Sequence, residues 1–392
     1  MTTTTATRQA LPRLVWALAA THFVGRAGGV VRSFLVLYLT QAQHLSPAVA
    51  GSVVAAVGLG DVGSQVLGGW LGDRIGRRTT MLAGFVGAAA ALAALGSADT
   101  LPGIWAAAAG VGLTLELFRP AGSAAVADLP AEQRIRAFGM LYWAANLGFS
   151  VATVTAGVLA KYGYGLLFWI NVLASLAAAL IVWFQVPETR PAGSVRTRRA
   201  LLPVVLHDRL MLALLALHTG YFTLFLQTFT TLPLLMAAGG LGPAAYGGIL
   251  ALNGIAVVAL QPWAVRLLAG RNGATVSAVS MLLVGLGAGL GAVSHGAAGF
   301  AGSVLIWTLG QIGIAVRFGD TFADLAPAEL RGGYLGLAST TWSVGAVLGP
   351  LAGTALLDLA GATVLGVACA VGGIALFAAQ RALGPALRRR NS

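Results

Sequence analysis

The sequence predicts an all-α integral membrane protein, with twelve transmembrane helices in two parallel six-helix bundles related by pseudo-two-fold symmetry. Three observations predict it. Of 392 residues, 57% are apolar and only 9% are Asp, Glu, Lys or Arg, whereas a soluble domain carries about 25% charge. Apolar runs long enough to cross a ~30 Å hydrocarbon core at 1.5 Å per residue recur along the whole length. The segment Asp128-Leu129-Pro130-Ala131-Glu132-Gln133-Arg134 returns as Asp324-Leu325-Ala326-Pro327-Ala328-Glu329-Leu330-Arg331, an offset of about half the chain, and Gly148 falls opposite Gly345. Such an offset marks a parallel internal repeat. A soluble enzyme and a secreted disulfide scaffold are excluded, the latter because Cys369 is the sole cysteine. The runs also lack the alternation of a barrel strand.

The elements follow in chain order. Residues 1–13 are polar and Thr-rich, and the apolar run from Leu14 to about Leu39 exceeds a signal-peptide core, so it reads as a retained first helix. Gly, Pro and charge then punctuate spans near 14–40, 47–71, 79–97, 102–128, 135–160, 165–186, 209–236, 244–268, 274–294, 297–324, 332–358 and 362–383. Residues 1–186 make the N-terminal bundle and 209–392 the C-terminal bundle with a basic tail. Between them, 187–208 is a linker with Pro187, Pro191 and a run of arginines.

Arginine sets the orientation. One side of the membrane holds Arg8 and Arg13, then Arg74, Arg77 and Arg78, then Arg134 and Arg136. The linker adds Arg190, Arg196, Arg198, Arg199 and Arg209, and the second half adds Arg266, Arg271, Arg331, Arg381, Arg388, Arg389 and Arg390. The other side holds only Lys161. The positive-inside rule places both termini in the cytoplasm. The net charge of +12 then faces the anionic inner leaflet, which accounts for it without a nucleic-acid partner. An Arg-to-Lys ratio of 23 to 1 with abundant Ala and Gly points to a GC-rich bacterial source.

The loop after span 2 reads Gly69-Trp70-Leu71-Gly72-Asp73-Arg74-Ile75-Gly76-Arg77-Arg78. It resembles motif A of the major facilitator superfamily, in the position where that family carries it, and the resemblance extends over essentially the whole chain. It implies that Gly69, Asp73, Arg74, Gly76, Arg77 and Arg78, with Asp128 at the same side of span 4, latch the two halves together in the outward-facing state. The second copy, Arg266 to Gly273, lacks the acid. Leu115-Glu116-Leu117-Phe118-Arg119-Pro120-Ala121-Gly122 resembles motif B, whose intramembrane arginine is associated with proton-coupled members. Motif C of the drug:proton antiporters is degenerate, with Ala152 and Thr153 in span 5 where Gly-Pro would stand. A fuller version, Gly345 to Gly353, occurs in span 11, where helix packing explains it equally well.

Charges inside hydrocarbon are costly and either pair or function. Asp61 and Glu116 each precede a basic-side acid, Asp73 and Asp128, by 12 residues, which places them ~18 Å deep. Arg26 lies 13 residues beyond Arg13, ~20 Å deep by the same rise. Arg119 is one turn from Glu116 on the same face. These four are expected at one depth, with Glu116 as leading proton carrier, Asp61 second and paired with Arg26, and Arg32 farther out at a rim or gate. A purely structural ion network is the alternative reading. Arg317 and Asp320 read as a local salt bridge or an inner gate.

Polar and aromatic positions on spans that line the cavity in that family suggest the substrate pocket: His22, Tyr142, Asn146, His218, Tyr221, Phe225, Trp307, Gln311 and Trp342. Packing is the competing reading for each of them, the two histidines above all. No metal-ligand spacing, catalytic triad or phosphate loop emerges, so no enzyme activity, metal or cofactor is expected. The leading expectation is a monomeric secondary transporter of the cell membrane that exports drug-like or lipophilic molecules by proton antiport and alternating access. The alternative is a transporter of a specific metabolite such as a sugar or organic anion. The expected partners are a small-molecule substrate, protons and lipid.

Overall fold

The computed structural model describes residues 11–188, 201–268, 270–327 and 330–391. Arg8, Arg190, Arg196, Arg198, Arg199 and Glu329, together with most of the 187–208 linker, lie outside the described residues. Helices occupy every predicted span. Six are unbroken: Pro47–Ile75, Arg77–Gly96, Ala131–Leu159, Gly165–Gln185, Pro243–Leu268 and Gly273–Val293. Gly296–Ala323 is a seventh. Spans 11 and 12 run together as Arg331–Asn391, and the chain reverses at Gly361. Its φ of 82° is a region that L residues with a side chain avoid. Span 12 then returns antiparallel to span 9, with Gly366 against Gly289, Gly373 against Gly285 and Gly384 against Ala274.

Three spans are broken in mid-membrane, and composition did not reveal it. Span 1 is Arg13–Ala27, a break at Gly28-Gly29, Val30–Leu37 and a π turn at Tyr38–Ala42. The free N–H of Val31 at the restart is met by Asn171 Oδ1 at 3.4 Å. Span 4 is Leu101–Leu115 and Phe118–Ala127, interrupted at Glu116-Leu117. Span 7 is Arg209–Phe225 and Gln227–Ala238, interrupted at Leu226. Polar side chains begin several helices by accepting backbone N–H groups: Ser46 from Val49, Thr100 from Gly103, Asp208 from Met211 and Asn272 from Thr275.

Helices approach closely where residues are small, as packing in lipid requires. Within the first half, Gly60 and Gly112 press spans 2 and 4 together backbone to backbone. Between the halves, span 2 meets span 11 at Gly51–Thr354 and Gly58–Ala346, and span 5 meets span 8 at Gly157–Gly247 and Ser150–Gly254. These inter-half contacts lie from mid-membrane to the side opposite the arginines. On that far side Tyr246 of span 8 donates to Ser33 O of span 1 and Thr228 O of span 7, at 3.2 and 3.1 Å. Phe34 packs edge-on to the Tyr246 ring at 5.1 Å, and Ala48 N donates to Asp358 at 3.4 Å. On the basic side the ion pairs Arg77–Asp128, Arg317–Asp320 and Arg390–Asp208 each stay within one half. Among the described residues, the inter-half contacts named here close the far side, and the ion pairs named on the basic side do not cross between the halves.

Candidate substrate and proton site

Two of the broken spans meet at the buried charges. Arg32 bridges both acids, with Nη2 2.6 Å from Asp61 Oδ1 and Nη1 3.3 Å from Glu116 Oε1. Arg26 Nη2 lies 3.6 Å from the same Glu116 oxygen. Arg119 Nη1 donates to Glu116 Oε2 at 3.0 Å. Both acids are buried, whereas the Arg26 side chain is 33% exposed and that of Arg119 46%. Arg119 sits in the basic-side half of span 4.

This arrangement corrects two expectations. Asp61 pairs with Arg32, not Arg26, and Arg32 is a central bridge, not a rim residue. A helical side chain leans toward the N-terminus of its helix. Span 1 starts on the basic side, so Arg32 reaches back from the far half toward mid-membrane. Span 4 starts on the far side, so Glu116 leans up to meet it. The break at Gly28-Gly29 also upsets any register counted along one straight helix. The network thus has five members, not four.

The other pocket expectations divide. His22 is half-buried, with its ring 5.0 Å from Phe118. Tyr142 is exposed, and Asn146 is tied to the Tyr142 carbonyl of its own helix at 2.8 Å. In the second half, Phe225 joins Trp307 at 5.3 Å and Trp342 at 5.8 Å, while Phe222 lies 5.2 Å from Trp342 and 4.9 Å from Tyr221. Of this cluster Tyr221, Phe225 and Trp307 are buried, and Phe222 and Trp342 are half-buried and form its accessible edge. Gln311 accepts from Asn253 at 2.8 Å and joins spans 8 and 10. His218 is fully buried between Phe318 and Phe322, and its Nδ1 lies 2.9 Å from Leu214 O. It is a packing residue in this state, not a pocket wall.

The motif A loop is organised within the first half. Gly76 has φ 96°, which only glycine adopts without strain. Arg77 pairs with Asp128, and Arg78 donates to Trp183 O and lies 4.9 Å over the Trp183 ring. Arg74 lies 5.0 Å over Trp70. Asp73 and Gly69 are exposed, and among the described residues the structure places no ion pair on Asp73. One residue escaped sequence reasoning. Glu188, after span 6, accepts from Arg78 N and Thr79 N at 3.2 Å each and from Thr79 Oγ1 at 3.0 Å. It caps the N-terminus of span 3 across the fold. Burial pushes its carboxyl up, but the hydrogen bonds from Arg78 and Thr79 outweigh this and hold it below the ordinary glutamate value. Asp208 is likewise held low, because the bonds from Arg390, Met211 and Tyr334 outweigh its burial.

Comparison with known proteins follows the geometry. The sequence profile of the Major Facilitator Superfamily matches residues 16–350. An uncharacterized MFS-type transporter of Bacillus subtilis, YqjV, is 26% identical over 359 residues, covering 88% of this chain and 87% of that protein. The multidrug resistance protein MdtH of Shigella dysenteriae is 27% identical over 354 residues, 84% of each chain. Among solved structures, a POT family transporter in complex with a thioalcohol-conjugated peptide superposes with a TM-score of 0.81 at 15% identity, covering 96% of this chain and 97% of that one. The nucleoside transporter NupG superposes at 0.77 and 13% identity, covering 97% and 100%. These two likenesses speak to the fold alone.

Proposed function

The chain belongs to the Major Facilitator Superfamily, and from that premise we propose that it is a proton-coupled secondary active transporter moving drug-like or lipophilic small molecules by alternating access. One observation carries the reading. The buried carboxylates of Asp61 and Glu116 are held by arginines from two interrupted helices, and two of those arginines, Arg26 and Arg119, keep part of their side chains accessible. Interrupted helices at mid-membrane are where transporters of several folds hold substrate and coupling ion. A carboxylate whose arginine contacts change between two states changes its proton affinity with them, which couples protonation to movement. Glu116 is the leading carrier because it has the most arginine contacts for a movement of the interrupted helices to change. Asp61 is second.

The open basic side corresponds to the cytoplasm by the positive-inside rule, so the protein stands inward-facing in the cell membrane, with both termini inside. The exposed Asp73 fits a latch engaged only when that side closes. Export is favoured by the likeness to MdtH, a multidrug resistance protein. Carriage of an organic anion is the second reading, favoured by the surplus of arginine over acid. The test is purified protein in liposomes under an imposed pH gradient, screened with aromatic cations and aromatic carboxylates. Gradient-dependent movement of either class supports the reading, and its absence for both refutes it.

A further inference from the structure

The five-residue network does not balance. It holds three guanidinium groups and two carboxylates. Both oxygens of Glu116 are engaged, one by Arg26 and Arg32 and the other by Arg119, and Asp61 Oδ1 is taken by Arg32. The guanidinium donors are less fully used. A guanidinium carries five N–H groups, yet Arg119 makes one hydrogen bond within the network and Arg26 contributes only the long 3.6 Å ion pair. Arg32 Nε is buried with no acceptor. No other acid among the described residues supplies the missing charge. Besides Asp61 and Glu116 these are Asp73, Asp99, Asp128, Glu132, Glu188, Asp208, Asp320, Asp324 and Asp358, all at span ends or in loops. A surplus cation this deep in a membrane protein is costly until an anion meets it.

We infer that the site takes amphipathic organic anions, with the carboxylate, sulfonate or phosphate head on Arg119 and Arg26 and the apolar body on the aromatic edge of the second half. The head position follows from exposure, since these two arginines are the accessible ones and both retain unused donors. The half-helix Phe118–Ala127 begins beside them and adds the positive end of its dipole. The body position follows from continuity. Gly148 of span 5 packs directly on the Arg26 side chain. Its neighbour Phe149 lies 6.1 Å from Phe229, which lies 6.0 Å from Phe225. Phe225 passes the row on to Trp342. The rings of Phe149, Phe229, Phe225 and Trp342 thus form a row from span 5 across to span 11. A cation would meet the surplus positive charge. This inference rests on the network being the substrate site of a transporter.

The test uses one ring with three heads: 2-naphthoate, the neutral 2-naphthamide and the cation 2-naphthylmethylammonium. Binding to the full-length protein is measured by calorimetry, and uptake into liposomes is measured in parallel. The expected order is naphthoate tightest, about tenfold over the amide as one charge-assisted contact of ~1.4 kcal/mol requires, and the ammonium weakest. Arg119→Gln should remove most of the preference for naphthoate over the amide, and Arg119→Lys should restore part of it. Because the order among the three heads is read on the unaltered protein, it stands even where a variant fails to fold. An ammonium that binds and moves best overturns the anion site and leaves the transporter reading intact. Equal binding of all three heads with no movement of any overturns both.

Discussion

Arg32→Gln is the perturbation that most directly probes the geometry around the buried acids. Among the described residues Arg32 is the one ion-pair partner of Asp61, and it contributes one of the three contacts to Glu116. Its loss leaves Asp61 buried and unpaired, while Glu116 keeps Arg26 and Arg119. Breaking a fully buried pair by removing one partner costs ~3–5 kcal/mol. The Arg32 side chain is 27% exposed, so the low end, about 3 kcal/mol, is the expected loss. Asp61→Asn on top of Arg32→Gln removes the orphaned charge and should recover about 2 kcal/mol, a coupling of the size measured for contacting residues. The assay is thermal survival of the purified protein in detergent for the wild type, both single variants and the double variant. If Arg32→Gln is as stable as the wild type, or if adding Asp61→Asn destabilises it further, the bridge is wrong.

Other outcomes follow from the same structure. Tyr246→Phe removes the hydroxyl that joins Ser33 O and Thr228 O across the far side. A net loss near 1 kcal/mol corresponds to about fivefold more far-side opening, read as faster labelling of a cysteine placed at Ala48, and an unchanged labelling rate contradicts the gate. Asp73→Asn should slow turnover while leaving folding intact, because Asp73 has no ion pair to lose in this state, and full transport activity argues against a latch. Glu188→Gln should destabilise the protein at neutral pH. The carboxyl is held below its ordinary value in the fold, so its contribution is present above the unfolded glutamate range near about 4.3 and disappears as pH falls through the lower folded value. Melting curves of wild type and variant should therefore differ at pH 7 and converge in acid, and a gap that widens in acid contradicts the cap.

Much of this was legible because charge is so scarce. Acids within a chain that is 9% charged stand out one by one, and counting 1.5 Å per residue brought Asp61, Glu116 and Arg26 to a common depth. Span count and repeat were equally plain, since apolar length and a half-chain offset survive any rearrangement of side chains. The helix breaks were not read. Gly28-Gly29 is one of several Gly-Gly pairs and by itself marks no break, whereas Pro120, which has no N–H for the Glu116 carbonyl four residues back, was a local signal for the break in span 4 that went unused. With the breaks unread, Arg32 was placed by straight-helix arithmetic and its reach back toward mid-membrane was missed. His218 resembled a pocket residue because its helix lines the cavity in the family, yet its burial depends on Phe318 and Phe322, about a hundred residues away. Glu188 was hidden in the same way, because its partners Arg78 and Thr79 are distant in sequence.

Glu116→Gln tests the central claim most directly. The substitution keeps the shape of the protonated acid and removes the proton it carries. In proteoliposomes, exchange of labelled for unlabelled substrate without a gradient should persist, because the site still binds and the protein still alternates. Accumulation driven by an imposed pH gradient should vanish. Gradient-driven accumulation at the wild-type rate in Glu116→Gln would contradict the account and leave Asp61 as the residue to examine.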